Sequence, residues 1–234
     1  RSVSGIIYVC LAETPPEFDG FKDIIEPLLA PHHLTNAKVA FECELVEQAN
    51  WKMVMENARE CYHCNACHPS LINSINVRGR ELSPSEDSLR IEFVKRMKSN
   101  KLPVGPFQGE WWDASRNPLR SGVRSITLDG YHAVQKKMCN VAEGDVGSMR
   151  WGLEPNFFAH ALGDYLFTFS ARPTGAQETV VTCKWLVHKD AEEGVDYDIQ
   201  KLTEVWDATN QEDRMLAENN QIGVNSLGYT PGPY

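Results

Sequence analysis

The chain has 234 residues, 42% of them hydrophobic, which is enough for one well-packed core. Its formal net charge of -9 argues against a nucleic-acid-binding protein, because neutralising phosphates requires a basic surface. No apolar run approaches the ~20 residues of a membrane span, so membrane insertion is not expected.

The cysteines bear on the redox environment. There are seven, an odd number, and three of them, Cys61, Cys64 and Cys67, fall close together. This spacing is not typical of a disulfide framework, and no secretory signal is visible, so a reducing, cytoplasmic setting is expected. The chain starts at Arg1 and its first residues already predict a strand, so we expect it to be part of a longer polypeptide.

Apolar spacing predicts both helices and strands along the chain. The N-terminal half is predicted to contain a strand at Ser2–Leu11, a helix at Phe18–Leu29, a strand at Val39–Val46, a helix at Asn50–Pro69 and, within an irregular stretch at Ser70–Asn117, a short helix at Leu89–Lys98. The C-terminal half is predicted to contain strands at Ser125–Leu128, Ala133–Met138, Met149–Leu153, Phe157–Leu162, Tyr165–Ala171 and Glu178–His188, then a helix at about Asp196–Gln221. This succession predicts an α+β domain, in which helices pack on one face of a large antiparallel sheet.

Residues 60–69 concentrate side chains that bind metals, and three chemistries fit parts of this stretch. Cys64-x-x-Cys67-His68 matches the attachment signature of a c-type haem. Cys61-x-x-Cys64-x-x-Cys67 matches the start of an iron–sulfur cluster motif, or half of a zinc site. His63 and His68 match two ligands of a mononuclear non-haem iron(II) site, which needs one further carboxylate.

The remaining residues favour the iron site over the two sulfur-based sites. The other four cysteines stand singly in strand-like segments, as core cysteines do. His63 and His68 would lie about 140° apart around an ideal helix, but Pro69 disfavours helical geometry at His68 and lets it turn back. Two histidines at a frayed helix end are common, however, so the prediction of an iron site depends on whether the chain offers a suitable carboxylate as the third ligand.

The C-terminal helix supplies a candidate carboxylate. Asp213 lies in the middle of an apolar stripe, whereas Glu212 is expected to point about 80° to the side and Asp207 to the far face. A lone carboxylate on a buried stripe is costly unless it is paired or binds a metal. Asp213 is therefore the expected third ligand, with a salt bridge to a buried arginine as the alternative.

At this point the chain resembles the catalytic domain of Rieske-type non-haem iron oxygenases. The residues that carry the resemblance are Asn50-Trp51-Lys52, Glu56-Asn57, Glu60-Cys61-Tyr62-His63, His68-Pro69, Trp206-x6-Asp213, Glu218, Gln221-x-Gly223 and Tyr229-x-Pro231-Gly232-Pro233. Segments 59–64 and 185–197 are most similar to the quaternary-ammonium demethylase branch, which acts on stachydrine (proline betaine) or glycine betaine.

The resemblance implies a helix-grip (Bet v1/START-like) catalytic domain over residues 1–234, with Fe(II) bound by His63, His68 and Asp213. It also implies that Asn57 lies near the iron. Glu60 would bridge to the [2Fe–2S] Rieske domain of a neighbouring subunit in a homotrimer, where electrons cross. The N-terminal Rieske domain, with its C-x-H…C-x-x-H ligands, is absent from this chain, so we expect the fragment to bind iron without turning over.

The implied reaction is O2-dependent oxidative N-demethylation of a quaternary ammonium compound with release of formaldehyde, using electrons from a separate NAD(P)H-dependent reductase. Because aromatic faces bind N-methylated cations, Trp151, Phe167 and Phe169 are candidate substrate contacts, with core packing as the alternative explanation. Two other functions remain open. An aromatic ring-hydroxylating dioxygenase would favour a wholly apolar pocket, and a metal-free helix-grip module would bind a small ligand without any buried carboxylate.

Overall fold

The computed structural model describes residues 1–76, 84–141 and 145–232. Part of the irregular stretch predicted from the sequence (77–83) and Pro233 of the C-terminal motif lie outside these residues. Two short strands, β1 (Ser2–Val3) and β2 (Ile6–Ile7), form an N-terminal hairpin. The single strand predicted at Ser2–Leu11 is therefore wrong, because the chain turns back at Ser4 and Gly5, which both have positive φ.

One large antiparallel sheet organises the rest of the molecule. Its seven strands among the described residues are β3 (Ala37–Glu47), β4 (Phe107–Gln108), β5 (Trp112–Asn117), β6 (Ser148–Leu153), β7 (Phe157–Ala161), β8 (Leu166–Gly175) and β9 (Glu178–His188). Their order across the sheet is β3-β9-β8-β7-β6-β5-β4. The described helices are α1 (Asp19–Leu29), α2 (Trp51–Arg59), α3 (Cys64–Cys67), α4 (Pro84–Ser99) and α5 (Ile199–Val224). None of them, within the described residues, combines the length and apolarity that a membrane crossing requires.

The main core lies between the sheet and the long helix α5. Alternate residues of β8 and β9, among them Phe167 and Trp185, face this core and meet Leu202 and Trp206 of α5. The predicted α+β class, with a helix-grip arrangement of a long C-terminal helix over an antiparallel sheet, is confirmed. Burying a side chain such as Phe167 contributes roughly 1.5–3 kcal/mol to the free energy of unfolding.

Helix α1 covers the opposite face of the sheet. Phe21 and Ile25 of α1 pack in a second cluster of buried residues with Met149 and Trp151 of β6. The sheet is therefore covered on both faces, and not on one face alone as the pattern predicted. The side of the sheet on which a residue lies consequently decides whether it can reach the space beneath α5.

Residues 118–141, which follow β5, form a loop, although the sequence predicts strands at Ser125–Leu128 and Ala133–Met138. Buried Asp164 explains the difference. Its carboxylate accepts hydrogen bonds from Ser125 Oγ (2.7 Å), Ala133 N (2.7 Å) and Val134 N (3.2 Å). These donors are thus satisfied by a side chain and not by a neighbouring strand, so alternating hydrophobicity alone misassigned the segment.

Candidate metal centre

The two histidines lie at the ends of the short helix α3. Asn50 caps the N-terminus of helix α2, and its side chain accepts a hydrogen bond from Lys52 N. The helix ends at Arg59 because Glu60 adopts an extended conformation (φ -92°, ψ 161°). His63 then precedes α3, and His68 follows it with non-helical angles (φ -116°, ψ 67°), as expected for a residue before proline. The single helix predicted at Asn50–Pro69 is therefore wrong, and the break at Glu60 turns both histidines towards α5.

Three donor atoms converge beneath α5. His63 Nε2 lies 2.9 Å from His68 Nε2, and Asp213 Oδ1 lies 3.2 Å from the first nitrogen and 3.1 Å from the second. His68 is almost fully buried, with 1% of its side chain exposed, and Asp213 is 20% exposed. Two imidazole lone pairs and a carboxylate repel each other at these distances unless a cation lies between them.

The spacing of the donor atoms tests which coordination geometry fits. Metal–nitrogen and metal–oxygen bonds of about 2.1 Å place neighbouring ligands of an octahedron about 3.0 Å apart, and those of a tetrahedron about 3.4 Å apart. The observed separations of 2.9, 3.1 and 3.2 Å are, taken together, nearer to the octahedral value, although the longest lies midway between the two. Two histidines and one carboxylate on one octahedral face form the ligand set typical of non-haem iron(II) oxygenases, and the residues fit such an ion.

Two outer carboxylates hold the histidine rings. Glu60 Oε1 lies 2.6 Å from His63 Nδ1, and Glu212 Oε2 lies 2.8 Å from His68 Nδ1. Because an ionised carboxylate only accepts hydrogen bonds, each Nδ1 donates, and each Nε2 is left to bind a cation. Helical periodicity places Glu212 to the side of the stripe that carries Asp213, and so predicts no role for it at the metal site. The sequence offered one clue to Glu212. His68 belongs to a segment distant from α5 and can approach that helix from the side on which Glu212 lies.

Asn57, predicted to lie near the metal, contacts the cluster directly. It is buried on α2 and its Nδ2 donates to Asp213 Oδ1 over 2.7 Å. The segment before α2 is fastened to α5 by two further bonds, from Gln48 N to Glu218 Oε1 and from Asn50 N to Gln221 Oε1. These contacts fix the position of α2 relative to α5, and hence the separation of the histidines from Asp213.

The electrostatics of the cluster favour a bound positive charge. The hydrogen bond with Asp213, assisted by Glu60, raises the pKa of His63 to about 9 against the opposing effect of burial. Burial lowers the pKa of His68, but Asp213 and Glu212 outweigh it and the net shift is upward. Burial likewise raises the pKa of Asp213, and the two histidines reverse this and lower it. In the metal-free protein a proton therefore supplies the charge that a metal would supply.

The neighbouring cysteines are arranged differently from any sulfur-based metal site. Cys61 and Cys64 form a disulfide, which the sequence spacing had not led us to expect. Cys64 lies close to both histidines, but its sulfur is bonded to Cys61. Cys67 is free. The covalent pairing removes one cysteine of the haem signature and two of the iron–sulfur or zinc pattern.

We expect the double variant Cys61→Ser/Cys64→Ser to retain about one iron per chain after anaerobic loading with Fe(II), because neither sulfur is among the converging donor atoms. Metal analysis by inductively coupled plasma mass spectrometry measures this, with His63→Ala as the variant that loses the metal. A double variant that binds no metal, or a wild type that prefers zinc through its sulfurs, would contradict the histidine–carboxylate assignment.

Glu47, the last residue of β3, is a buried carboxylate beside the cluster. Only 2% of it is exposed. Burial, together with the negative charges of Asp213 and Glu218, raises its pKa to about 8, and Arg214 offsets only part of this effect. The folded metal-free protein therefore keeps a proton on Glu47 at pH values where the unfolded chain has lost it.

This proton gives a pH-dependent stability. Between about pH 4.5 and 8 the folded state binds more protons than the unfolded state at Glu47, so this group makes the free energy of unfolding fall as pH rises. The Glu47→Gln variant cannot ionise at this position. In the metal-free protein we expect its free energy of unfolding to exceed that of wild type by about 4 kcal/mol at pH 8 and to match it near pH 4.5. Urea unfolding in the presence of a chelator measures both values. Glu44→Gln, exposed on the same strand, is the control, and a Glu47→Gln difference that does not change with pH would refute the prediction.

A cavity of about 640 Å³ opens beside the histidine–carboxylate cluster. Its described lining includes His63, His68 and Asp213, and its aromatic lining residues are Phe107, Trp112, Phe157, Phe158, Trp206 and the exposed Tyr62. Phe158 and Trp206 come from opposite sides, the sheet and α5. Trp206 is held in place because its Nε1 donates to Tyr165 Oη over 2.9 Å.

The three aromatic residues predicted to contact substrate lie outside this lining. Phe167 stacks on Trp206 at 4.2 Å between ring centroids, and Phe169 stacks on Phe158 at 4.6 Å. Both therefore support the cavity wall from behind. Trp151 lies on the other face of the sheet, against α1. The substrate-contact assignment of these three residues stays a prediction, and the geometry favours Phe158 and Trp206 in its place.

Comparison with known families assigns the chain. Residues 34–234 match the model of the ring hydroxylating alpha subunit (catalytic domain). The chain belongs to this family. Two curated relatives match nearly the whole chain. The chain is 44% identical over 235 residues to the glycine betaine monooxygenase oxygenase subunit of Chromohalobacter salexigens, covering 98% of this chain and 53% of that protein.

A second relative is the glycine betaine monooxygenase oxygenase subunit of Pseudomonas aeruginosa, strain UCBPP-PA14. It is 44% identical to this chain over 239 residues, which is 100% of this chain and 56% of that protein. The chain thus spans about half the length of the curated relatives it matches.

Solved structures support the fold of this chain. The quaternary ammonium Rieske monooxygenase CntA in complex with L-carnitine matches with a TM-score of 0.63 at 17% identity, over 98% of this chain and 51% of that one. A naphthalene 1,2-dioxygenase variant bound to phenanthrene matches with a TM-score of 0.59 at 16% identity, over 97% of this chain and 53% of that one. At these identities the likeness concerns the fold alone, and it extends to enzymes with very different ligands.

Proposed function

We propose that this chain is the catalytic part of a Rieske-type monooxygenase that removes an N-methyl group from a small quaternary ammonium carboxylate, glycine betaine or stachydrine. The observation that carries the proposal is the convergence of His63 Nε2, His68 Nε2 and Asp213 Oδ1 within 3.2 Å beneath α5. These residues would hold Fe(II), which when bound supplies the reductive activation of dioxygen.

The charge of the cavity supports a cationic substrate. Among the described lining residues, five carboxylates, on Glu60, Glu110, Asp113, Glu154 and Asp213, face two guanidinium groups, on Arg59 and Arg150. An acidic cavity with aromatic faces attracts a quaternary ammonium group and disfavours a neutral aromatic hydrocarbon. The 44% identity to two glycine betaine monooxygenase subunits points to the same substrate class.

In this proposal the chain's own residues position the reactants. Glu60 and Glu212 keep the Nδ1 protons of His63 and His68 in place, so that both Nε2 atoms face the metal position. Phe158 and Trp206 would hold the N-methyl end of the substrate beside it. Hydroxylation of one N-methyl carbon gives a hemiaminal, which collapses to formaldehyde and the demethylated amine.

Glu60 would also connect the site to its electron source. One of its oxygens contacts His63 while 35% of its side chain is exposed, so it reaches from the cluster to the surface. We place a Rieske [2Fe–2S] cluster of a neighbouring subunit in a homotrimer at that surface, supplied by an NAD(P)H-dependent reductase. Neighbouring Tyr62 is 87% exposed, as a residue that a partner subunit covers would be in the isolated chain.

Metal analysis combined with calorimetry tests the proposal. The Fe(II)-loaded protein is titrated under nitrogen with glycine betaine, stachydrine and naphthalene, and the metal-free protein serves as the reference. We expect about one iron per chain and betaine binding that depends on the metal. Binding of naphthalene but not of the betaines would favour a ring-hydroxylating dioxygenase. Equal betaine binding with and without metal would favour a metal-free binding module.

A further inference from the structure

Arg150 is the cavity guanidinium that the fold builds into the sheet. It lies in the middle of β6, opposite Ser115 of β5 and His160 of β7, and all three line the cavity. Its side chain is 18% exposed, whereas that of Arg59 is 35% exposed. Arg59 is also engaged with Glu154 and with the carbonyl of Pro155 (3.2 Å). Arg150 is therefore the more enclosed of the two cations.

Asp113 pairs with Arg150 but occupies only part of the hydrogen-bond donors of the guanidinium. Nη1 of Arg150 donates to Asp113 Oδ2, from the neighbouring strand β5. A guanidinium carries five N–H donors in a planar fork, so this bond leaves donors for a second carboxylate. Asp113 fixes the direction of the guanidinium, which reduces the entropy that a ligand would otherwise have to overcome on binding.

Gly152 makes room for this ion pair. A Cβ at position 152 would lie 2.6 Å from Asp113 Oδ1 and 3.5 Å from Arg150 Nη2, so a side chain there would displace the carboxylate. The backbone of β6 thus leaves space where the pair lies against the strand. The pair is thus part of the cavity wall, with the Asp113 side chain 41% exposed and that of Arg150 18% exposed.

The position of Arg150 relates it to the N-methyl end of the cavity. His160, directly opposite Arg150 on β7, lies 5.0 Å from Trp206 and 6.0 Å from Phe158 between ring centroids. Trp206 lies two turns before Asp213 on α5, on the same face. The cavity wall therefore places the guanidinium of Arg150 one strand away from the aromatic part formed by Trp206 and Phe158. A betaine likewise carries a quaternary ammonium group and, a short distance away, a carboxylate.

We propose that Arg150 binds the carboxylate of the zwitterionic substrate, and that Asp113 is a positioning residue which orients its guanidinium. This inference rests on the proposed function and deepens it, because it assigns the group that selects carboxylated quaternary ammonium compounds over simple cations. A guanidinium fork matches a carboxylate in geometry and charge, and the bond gains strength in a partly enclosed site. The acidic cavity alone would prefer a ligand without a carboxylate.

Binding constants of matched ligands test the assignment. Glycine betaine and choline share the trimethylammonium group, and choline carries a neutral hydroxymethyl group where the betaine carries its carboxylate. Calorimetry under nitrogen on the Fe(II)-loaded protein gives the ratio of the two dissociation constants for wild type, Arg150→Gln and Arg150→Lys. We expect Arg150→Gln to weaken glycine betaine binding about 10–100-fold and to change choline binding less than about threefold. Arg150→Lys should restore part of the preference, because it returns the charge without the fork.

The controls separate this inference from the proposed function. Arg59→Gln, which removes the other cavity guanidinium, should leave the ratio of dissociation constants at the wild-type value. Iron content and melting temperature of each variant check that the fold and the cluster are intact. Equal weakening of both ligands in Arg150→Gln, or loss of the preference in Arg59→Gln instead, would overturn the carboxylate site alone. A wild type that binds iron but neither ligand would overturn the proposed function and this site with it.

Discussion

Replacing Asp213 by alanine is expected to lower the iron content from about one ion per chain to nearly zero. Asp213 Oδ1 is the atom that both histidine nitrogens and Asn57 Nδ2 share. Losing an outer hydrogen-bonding partner of a metal ligand costs about 10–100-fold in metal affinity, so losing a ligand should cost more than about 100-fold. Metal analysis after anaerobic loading with Fe(II) and gel filtration measures the loss.

Asp207→Ala is the matched control for this variant. Asp207 is a half-buried carboxylate on the same helix, but it lies beside Thr203 and Cys43, away from the histidines. It should keep the wild-type iron content. Glu212→Gln should give an intermediate result, with affinity lowered about 10–100-fold, because it weakens only the support of His68. Full iron content in Asp213→Ala would refute the assignment of this residue as a ligand.

Replacing Glu60 by glutamine is expected to leave iron bound and to lower reductase-driven product formation more than about 100-fold. Glutamine keeps the length of the side chain and an oxygen that can accept the hydrogen bond from His63 Nδ1, but it loses the negative charge. If Glu60 bridges to the Rieske cluster of a partner subunit, that charge holds the histidine of the cluster in contact. The assay uses the complete oxygenase with its reductase.

A second assay distinguishes electron transfer from a structural role. Hydrogen peroxide supplies both the oxygen and the two electrons of the reaction, so it replaces dioxygen and the reductase together. Peroxide-driven demethylation should stay within about threefold of wild type in Glu60→Gln if the residue acts only in electron delivery. Glu56→Gln, exposed one turn earlier on α2, is the control. A parallel loss of iron, or of the peroxide-driven reaction, would show that Glu60 mainly orients His63.

Some features of the site required tertiary information. Glu212 and His68 are 144 residues apart. Their hydrogen bond forms because the interruption of the helix at Glu60 turns His68 towards the side of α5. Periodicity assigned Glu212 to a neighbouring face of its helix, and that assignment says nothing about which segment packs there.

The candidate substrate contacts also required tertiary information. Aromatic character makes Phe167 and Phe169 candidates for binding an N-methylated cation, but only packing shows that they stack behind Trp206 and Phe158, which line the cavity.

The sequence by itself determined the α+β class, the long C-terminal helix and the candidate ligands His63, His68 and Asp213. These inferences depend on local backbone geometry, because helical and strand periods are properties of the chain that do not need a partner segment. Tertiary structure alone decided that β5 joins the sheet, that Asp164 holds residues 125–134 as a loop and that Trp151 faces α1. It also decided that Arg150 faces the cavity. These features are set by contacts between residues distant in the chain, and the free energy of such contacts is not encoded in the periodicity of any one segment.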